Sequence, residues 1–289
     1  MLKGSWPALI TPFKEGGGLC ETSLEKFFSF HSQASSSGWV VLGSTAEALG
    51  LSIEERAVVL AYARKHLPAD KVVVGISAAT TAAVLLHAEQ AKKMGFTYGL
   101  VATPHYFKPS QEELIAHYQE VCRVGGMKII MYTVPSRTGV DFSDKTIISL
   151  AKEPNMIGIK DAGDDILRVS RLKAYLPKNF TYLSGDDEST LLRLFAGGDG
   201  VISVAANVVP DNMQALCNYA LSESWQKARQ ENTSIQPVFD ALRMGGNPGI
   251  IKFLVSHALD IPYIMRKPLL PYGSDVQKEV LISCKGMVK

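Results

Sequence analysis

Histidine and cysteine are scarce and scattered in this chain of 289 residues, which contains 6 His and 4 Cys. The cysteines form no Cys-x-x-Cys pair, so neither a disulfide framework nor a zinc ribbon is indicated. The histidines do not cluster at the spacing of metal ligands. We therefore expect reduced thiols in a cytoplasmic protein, with neither a metal nor a cofactor.

An excess of charge and a long apolar run are also missing. The 30 basic and 28 acidic residues leave a net charge of only +2, and no basic or acidic block argues for nucleic acid or an anionic membrane as a partner. No apolar stretch approaches the ~20 residues of a membrane span, and residues 1–7 do not resemble a signal peptide. The 46% hydrophobic content is that of a globular chain with a core.

Short apolar runs, rich in β-branched residues, recur along the first two thirds of the chain. We predict eight strands, at residues 6–13, 39–45, 72–77, 98–104, 128–135, 156–162, 181–187 and 200–206. Segments with helical periodicity separate them, and three open with a capping box, at Thr22/Glu25, Ser52/Glu55 and Ser110/Glu113. This alternation predicts an α/β fold, a (β/α)8 TIM barrel, rather than an open sheet, since no Gly-x-Gly-x-x-Gly turn follows the first strand.

The chain continues well beyond the eighth strand, and this tail has helical patterns throughout. They cover residues 210–221, 224–242, 248–259 and 274–284, which exceeds what a last barrel helix needs. We predict a catalytic barrel over residues 1–225 and a small C-terminal helical extension, residues 226–289, packed on it.

One lysine stands at the end of the most apolar predicted strand. Lys160 follows the run MIGI at residues 156–159, which is typical of a strand buried on both faces. Partial burial disfavours the charged form of an ammonium, and a free amine can attack a carbonyl carbon and form a Schiff base. The plainer interpretation is that Lys160 extends into water past the strand end.

Other polar residues follow neighbouring strands, and active sites of such barrels lie at the carboxyl ends of the strands. Tyr132 can transfer protons, and the turn amides of Ser44 and Thr45 can hold a carboxylate. Arg137 can bind a second carboxylate with its forked guanidinium. Together with the lysine they favour an imine-forming aldolase acting on an α-keto acid, although each alone is also explained by a turn, a core aromatic or a solvated charge.

Two acidic residues at a strand end have a structural interpretation. We expect Asp186 and Asp187 to cap the following helix and to interact with its dipole, so they are left out of the catalytic set. A non-catalytic barrel that binds a keto acid remains an alternative to the enzyme.

Several motifs resemble those of the dihydrodipicolinate synthase / N-acetylneuraminate lyase family. They are GSTAE at 43–47, YTVPSRTG at 132–139 and GIK at 158–160, extended by TPHYFKPS at 103–110, SGDD at 184–187, GVIS at 200–203 and NP at 247–248. The resemblance covers nearly the whole chain, and PSRTG at 135–139 is closer to the synthase branch. It implies condensation of pyruvate with L-aspartate-4-semialdehyde on the route to diaminopimelate and lysine. Another pyruvate-dependent lyase, for a sialate or a keto sugar acid, is the alternative.

The resemblance also implies catalytic roles. Lys160 would form the imine with pyruvate, and Tyr132 would be the acid and base of a proton relay. The relay would pass through the hydroxyl of Ser44 to Tyr106, which a neighbouring subunit presents in the family. A homotetramer, as a dimer of dimers, or a homodimer is therefore expected.

Three substrate-binding positions follow from the same resemblance. Thr45 belongs to the turn that binds the keto acid, and Arg137 would hold the carboxylate of the semialdehyde. The carbonyl of Ile202 would lie near the lysine.

This chain departs from the family pattern at two places. Serine replaces threonine at Ser44, which keeps the hydroxyl but loosens its χ1, and Ala46 replaces a glycine, so the backbone there need not adopt a positive φ. The family's lysine-binding positions carry other side chains here, namely Ile53, Arg56, Ala79, Ala83 and His105. We expect weak feedback inhibition by lysine or none, because the lysine ammonium would lack a carboxylate partner.

Overall fold

A single parallel sheet forms the centre of the computed structural model, which describes residues 2–284 and 286–288. Its strands lie in the order β1-β8-β7-β6-β5-β4-β3-β2. They are β1 (Gly4–Pro7), β2 (Trp39–Val41), β3 (Val72–Gly75), β4 (Tyr98–Ala102), β5 (Lys128–Thr133), β6 (Met156–Asp161), β7 (Thr181–Ser184) and β8 (Gly200–Ser203). The two edge strands meet where Ala8 bridges Val40. The sheet is thus a nearly closed barrel, and the predicted (β/α)8 fold is confirmed.

Helices cover the outside of this barrel and form the tail. They are α1 (Glu21–Gln33), α2 (Ile53–His66), α3 (Thr81–Lys93), α4 (Gln111–Val124), α5 (Pro135–Thr138), α6 (Asp144–Leu150), α7 (Arg168–Lys173), α8 (Thr190–Phe195), α9 (Pro210–Leu221), α10 (Trp225–Arg243), α11 (Gly249–Leu259) and α12 (Ser274–Ser283). The last four match the helical tail predicted from the sequence. None of the helices in the described residues is both long and apolar enough to cross a membrane.

The first strand differs from its prediction at residues 6–13. The ladder of β1 to β8 begins at Gly4 and ends at Pro7, which lies opposite Ser203, the last residue of β8. Beyond it only single backbone bonds remain, from Ala8 to the carbonyl of Ser203 and from Leu9 to that of Val40.

Two of the three predicted capping boxes are present. The side chains of Ser52 and Ser110 each accept a hydrogen bond from the backbone N–H of the glutamate three residues later. The carboxylate of that glutamate accepts a hydrogen bond from the backbone N–H of the serine. The predicted box at Thr22 is wrong, because α1 already begins at Glu21. Glu25 instead binds Lys65 and His66 of α2.

The alternation of side chains along the strands produces two cores. One fills the barrel and includes Trp6, Val40, Val73, Leu100, Ile130, Leu183 and Ile202. The other lies between sheet and helices and contains Ile159. Because Ile159 faces outward, its neighbour Lys160 faces the barrel interior, and Asp161 faces the helices.

A buried charge cluster surrounds Asp161, which is 0% exposed. The hydroxyl of Tyr182 donates to Asp161, and Arg168 and Arg193 place guanidinium nitrogens 3.6 and 3.4 Å from its Oδ2. Arg168 also binds Asp141 at 2.5 Å. This pairing offsets the desolvation of a charge next to the reactive lysine and fixes the end of β6 against α7 and α8.

Candidate active site

The carboxyl ends of the strands open into a cavity of about 650 Å³. Its lining includes five of the seven site residues predicted from the sequence, namely Ser44, Thr45, Tyr132, Arg137 and Lys160. These residues come from three strand ends that the barrel brings to one rim.

Lys160 and Tyr132 form the floor of the cavity. They are direct neighbours in the β5–β6 register, and both are 6% exposed. The Nζ of Lys160 lies 4.2 Å from the centroid of the Tyr132 ring, within the range of a cation–π contact. An amine at this depth, with a phenol beside it, is the arrangement that imine chemistry requires.

The Ser44–Ala46 segment is a 3₁₀ turn, which Leu42 and Gly43 separate from the end of β2. Ala46 does not have a positive φ, as predicted, and the left-handed residue is Glu47 with φ 54°. In the part of the chain that the structure describes, the amides of Ser44 and Thr45 donate to no protein acceptor. Two free N–H groups at the cavity rim are suited to bind a carboxylate.

Arg137 lies at the cavity mouth on α5, a short helix that begins with a proline. Its Nη2 donates to the carbonyl of Asn247 at 2.7 Å. The side chain of Asn247 in turn donates to Thr45 Oγ1 at 3.1 Å. One residue of the tail therefore connects the predicted keto-acid turn with the predicted second carboxylate site.

The two aspartates after β7 behave differently from each other. Asp186 accepts from the N–H of Ser189 at 2.8 Å, but Ser189 is the N-cap of α8 and makes no side-chain capping bond, so the capping prediction is wrong for Asp186. It is also wrong for Asp187, whose Oδ2 accepts from the amides of Val204 and Ala205 after β8. Burial raises the pKa of the Asp187 carboxyl to about 6, and its Oδ1 is buried without a partner among the described residues.

Tyr106 and Ile202 lie outside the lining of the cavity. Tyr106 is 87% exposed, and its φ of 75° is unusual for a bulky residue. Ile202 is buried inside the barrel on β8, next to Trp6 of β1. The tyrosine is thus exposed to solvent and does not line the cavity of its own chain.

Of the positions that the resemblance assigns to lysine binding, Ile53, Ala79 and Ala83 are apolar, and Arg56 is held by a protein contact. Arg56 is 1% exposed and donates to the carbonyl of Gly75 at 2.8 Å. Burial lowers the pKa of its guanidinium to about 10, since none of the described carboxylates pairs with it. The weak lysine inhibition stays a prediction.

Three residues near the site were not singled out from the sequence. Glu47 and Lys252 form a buried ion pair at 2.5 Å beside the 3₁₀ turn. Glu47 and Asn247 were noted only as parts of motifs, and Lys252 was not noted at all. A lysine inside the apolar run of α11 was the available signal, because a buried ammonium requires a partner.

Comparison with known proteins agrees with this geometry. Residues 1–285 match the model of the dihydrodipicolinate synthetase family. The chain is 36% identical over 284 residues to a 4-hydroxy-tetrahydrodipicolinate synthase of Coxiella burnetii, which covers 97% of this chain and 96% of the relative. Identity to the enzyme of that name in Buchnera aphidicola is 37% over 279 residues, covering 95% and 94% of the two chains.

Solved structures are similar over the full length. The dihydrodipicolinate synthase of Acinetobacter baumannii, in complex with pyruvate, superposes with a TM-score of 0.94 at 33% identity and covers 100% of both chains. The corresponding protein of Aquifex aeolicus gives a TM-score of 0.92 at 30% identity, covering 98% of this chain and 97% of that one.

Proposed function

Because the chain belongs to the dihydrodipicolinate synthetase family, we propose that it condenses pyruvate with L-aspartate-4-semialdehyde. The product is 4-hydroxy-tetrahydrodipicolinate, a precursor of diaminopimelate and lysine. The observation that carries this proposal is the buried amine of Lys160 against the ring of Tyr132, 4.2 Å away, on the floor of the cavity.

The chemistry begins at Lys160. Its amine attacks the keto carbon of pyruvate, water leaves, and an imine joins the substrate to β6. The free amides of Ser44 and Thr45 bind the pyruvate carboxylate, which orients the keto carbon toward the amine. Ile202, on β8 and separated from the strand of Lys160 only by β7, provides a backbone carbonyl near the lysine.

Proton transfer belongs to Tyr132. Its hydroxyl takes and returns protons while the imine forms and while the new carbon–carbon bond is made. The hydroxyl of Ser44 connects it to Tyr106 of a neighbouring subunit, which completes the relay. Arg137 at the cavity mouth binds the carboxylate of the semialdehyde.

Two exposed apolar surfaces support a homotetramer. The first consists of Tyr106 and Phe107, which are 87% and 66% exposed, have ring centroids 5.9 Å apart and follow His105 of the cavity lining. The second contains Leu192 on α8 and Phe195 at its end, 56% and 70% exposed. Adjacent exposed apolar side chains mark interaction sites, so the first surface pairs two subunits and the second joins two pairs.

The division of the chain is part of the same proposal. Residues 1–225 form the barrel that carries the chemistry, and residues 226–289 form the extension packed on it. We place the reaction in the cytoplasm, which is consistent with four free, buried cysteines.

Borohydride reduction in the presence of pyruvate tests the reaction. Lys160 should carry the reduced adduct in a peptide map, and the trapped enzyme should be inactive. Lys160→Arg should fold but be nearly inactive, because a guanidinium stays protonated. Lys128→Arg, on the amino end of β5, is the matched control and should trap normally.

An adduct on Lys128 or Lys173, or no adduct at all, would contradict the assignment. Once the adduct is found, turnover with L-aspartate-4-semialdehyde distinguishes the synthase from another pyruvate-dependent lyase. Faster turnover with a sugar aldehyde would favour the lyase.

A further inference from the structure

A buried ion pair joins the catalytic rim to the C-terminal extension. Glu47 follows the 3₁₀ turn after β2, and Lys252 lies on α11. Their side chains are 5% and 1% exposed, and the Nζ of Lys252 is 2.5 Å from Oε1 of Glu47. The same Nζ lies 3.9 Å from the centroid of the Phe13 ring. Water is thus excluded from both partners.

Arg266 closes the other side of this carboxylate. Its backbone N–H donates to Oε2 of Glu47 at 3.1 Å, and its guanidinium lies 4.4 Å from the Phe13 ring. The guanidinium also donates to the carbonyl of Gly17 at 2.7 Å and pairs with Glu55. Both oxygens of Glu47 are therefore held by residues that follow α10.

These contacts act on the turn at Ser44 and Thr45. The N–H of Glu47 donates to the carbonyl of Ser44 at 3.1 Å, so Glu47 ends that turn with its own backbone. Its left-handed conformation, φ 54°, is unfavourable for a residue with a Cβ unless the surroundings hold it. The anchored carboxylate provides that hold.

We propose that Glu47 and Lys252 are positioning residues that fix the Ser44–Thr45 turn for binding of the pyruvate carboxylate. This inference rests on the proposed function. The extension is then required for affinity toward the first substrate, although neither residue of the pair touches the reacting atoms.

The pair should also respond to pH. Burial lowers the pKa of Lys252 to about 8, against the opposing effect of Glu47. The charged groups that face it are Glu47 and Arg266, with Glu55 behind the latter. The ammonium is present below this pKa and is lost as the pH rises through it. Above about pH 8, Glu47 keeps only the backbone N–H of Arg266 as a strong donor, and the turn loosens.

The double variant Glu47→Gln/Lys252→Met tests the role. Removing both charges while keeping the side-chain volumes leaves no unpaired buried ion, so the protein should fold. The KM for pyruvate should rise roughly 10- to 100-fold, since small misplacements of a binding group have effects of this size. The KM for the semialdehyde should change much less. The rise in pyruvate KM above about pH 8 that we expect of the parent should be absent from the variant.

A second ion pair provides the control. Lys173 and Asp199 lie 2.9 Å apart at the amino end of the barrel, and Lys173→Met/Asp199→Asn should keep the parent KM for pyruvate. A Glu47→Gln/Lys252→Met protein that folds with the parent KM would overturn the proposal, as would equal increases for both substrates. If this variant does not fold, a pyruvate KM of the parent that stays flat between pH 7 and 9 would overturn it instead. Failure of the parent to form a pyruvate adduct would count against the proposed function and not against the ion pair.

Discussion

At the scale of single residues, successive side chains on β6 point in opposite directions, so the reactive residue and the residue that stabilises the strand end lie on opposite faces of the sheet. Lys160 faces the cavity, whereas Asp161, one residue later, faces the helices and pairs with Arg168 and Arg193. The strand end is fixed from outside, so the amine inside can be placed without a charged neighbour touching it. Preorganisation of this kind lowers the barrier by orientation.

Tyr132→Phe isolates the proton-transfer step. We expect turnover to fall roughly 10²- to 10⁴-fold, the usual effect of losing a positioned acid or base. Pyruvate should still form the adduct, because the packing of the ring is kept. Steady-state kinetics and borohydride trapping measure the two effects separately.

Tyr98→Phe, on β4, is the matched control and should keep parental turnover. A Tyr132→Phe enzyme with most of its activity would mean that water or Tyr106 moves the proton.

Prediction from the sequence was most successful at this scale where a residue ends a strand. The proximity of Lys160, Tyr132 and Thr45 could be predicted because the barrel places the carboxyl ends of all its strands on one rim. Lys252 could not be assigned, since its partner is 205 positions away in the chain and no periodicity shows which loops return to the rim. Asp187 was assigned to the wrong element for the same reason.

At the scale of elements, α5 (Pro135–Thr138) shows how a short segment carries specificity. The segment is fixed at its base by the buried hydroxyl of Thr138, which accepts from Thr103 at 2.8 Å. Arg137 stays exposed above it and bonds to Asn247. A rigid base with an exposed guanidinium is suited to the recognition of a mobile, charged substrate.

Arg137→Ala should affect the second substrate. Loss of a charge-assisted hydrogen bond is worth about 1.5–3 kcal/mol, so the KM for the semialdehyde should rise roughly 10- to 100-fold, with little change for pyruvate. Arg137→Lys should raise the KM for the semialdehyde less than Arg137→Ala does but should not restore the parent value, because an ammonium cannot form the paired hydrogen bonds of a guanidinium with a carboxylate.

Arg171→Ala, on the surface of α7, should leave both KM values unchanged. Equal increases for the two substrates in Arg137→Ala would show that Arg137 shapes the loop instead of binding a carboxylate.

Elements were predictable where local chemistry decides them. The boxes at Ser52 and Ser110 and the helices of the tail follow from hydrogen bonds and periodicity within a few residues. β1 was placed too late, because its limits depend on pairing with β8, and the apolar run at residues 6–13 continues past the ladder.

At the scale of the whole molecule, we expect an aspartate introduced into one apolar surface to affect assembly and turnover differently from an aspartate introduced into the other. Phe107→Asp should separate the pairs that share Tyr106 and lower turnover roughly 10²-fold, because the proton relay is incomplete. Leu192→Asp should give dimers that keep most of their activity, since burying a carboxylate in the second surface is unfavourable. Sedimentation velocity and turnover at matched concentrations measure both.

Ile282→Asp provides the control, because this side chain is 73% exposed on α12 and belongs to neither surface. Its sedimentation should match that of the parent. A fully active, monomeric parent would refute the assembly.

The pairing of β1 with β8 has a consequence for synthesis on the ribosome. In β1, Gly4 pairs with Gly200 of β8. The other neighbour of β1 is β2, and the two are joined by a single bridge between Ala8 and Val40. Synthesis proceeds at about 5–20 residues per second, so roughly 10 to 40 s pass between the synthesis of β1 and that of its partner β8. During that interval Trp6 has no barrel interior to enter. The nascent chain therefore emerges with its first strand unpaired, and the barrel closes only after most of the chain has left the exit tunnel.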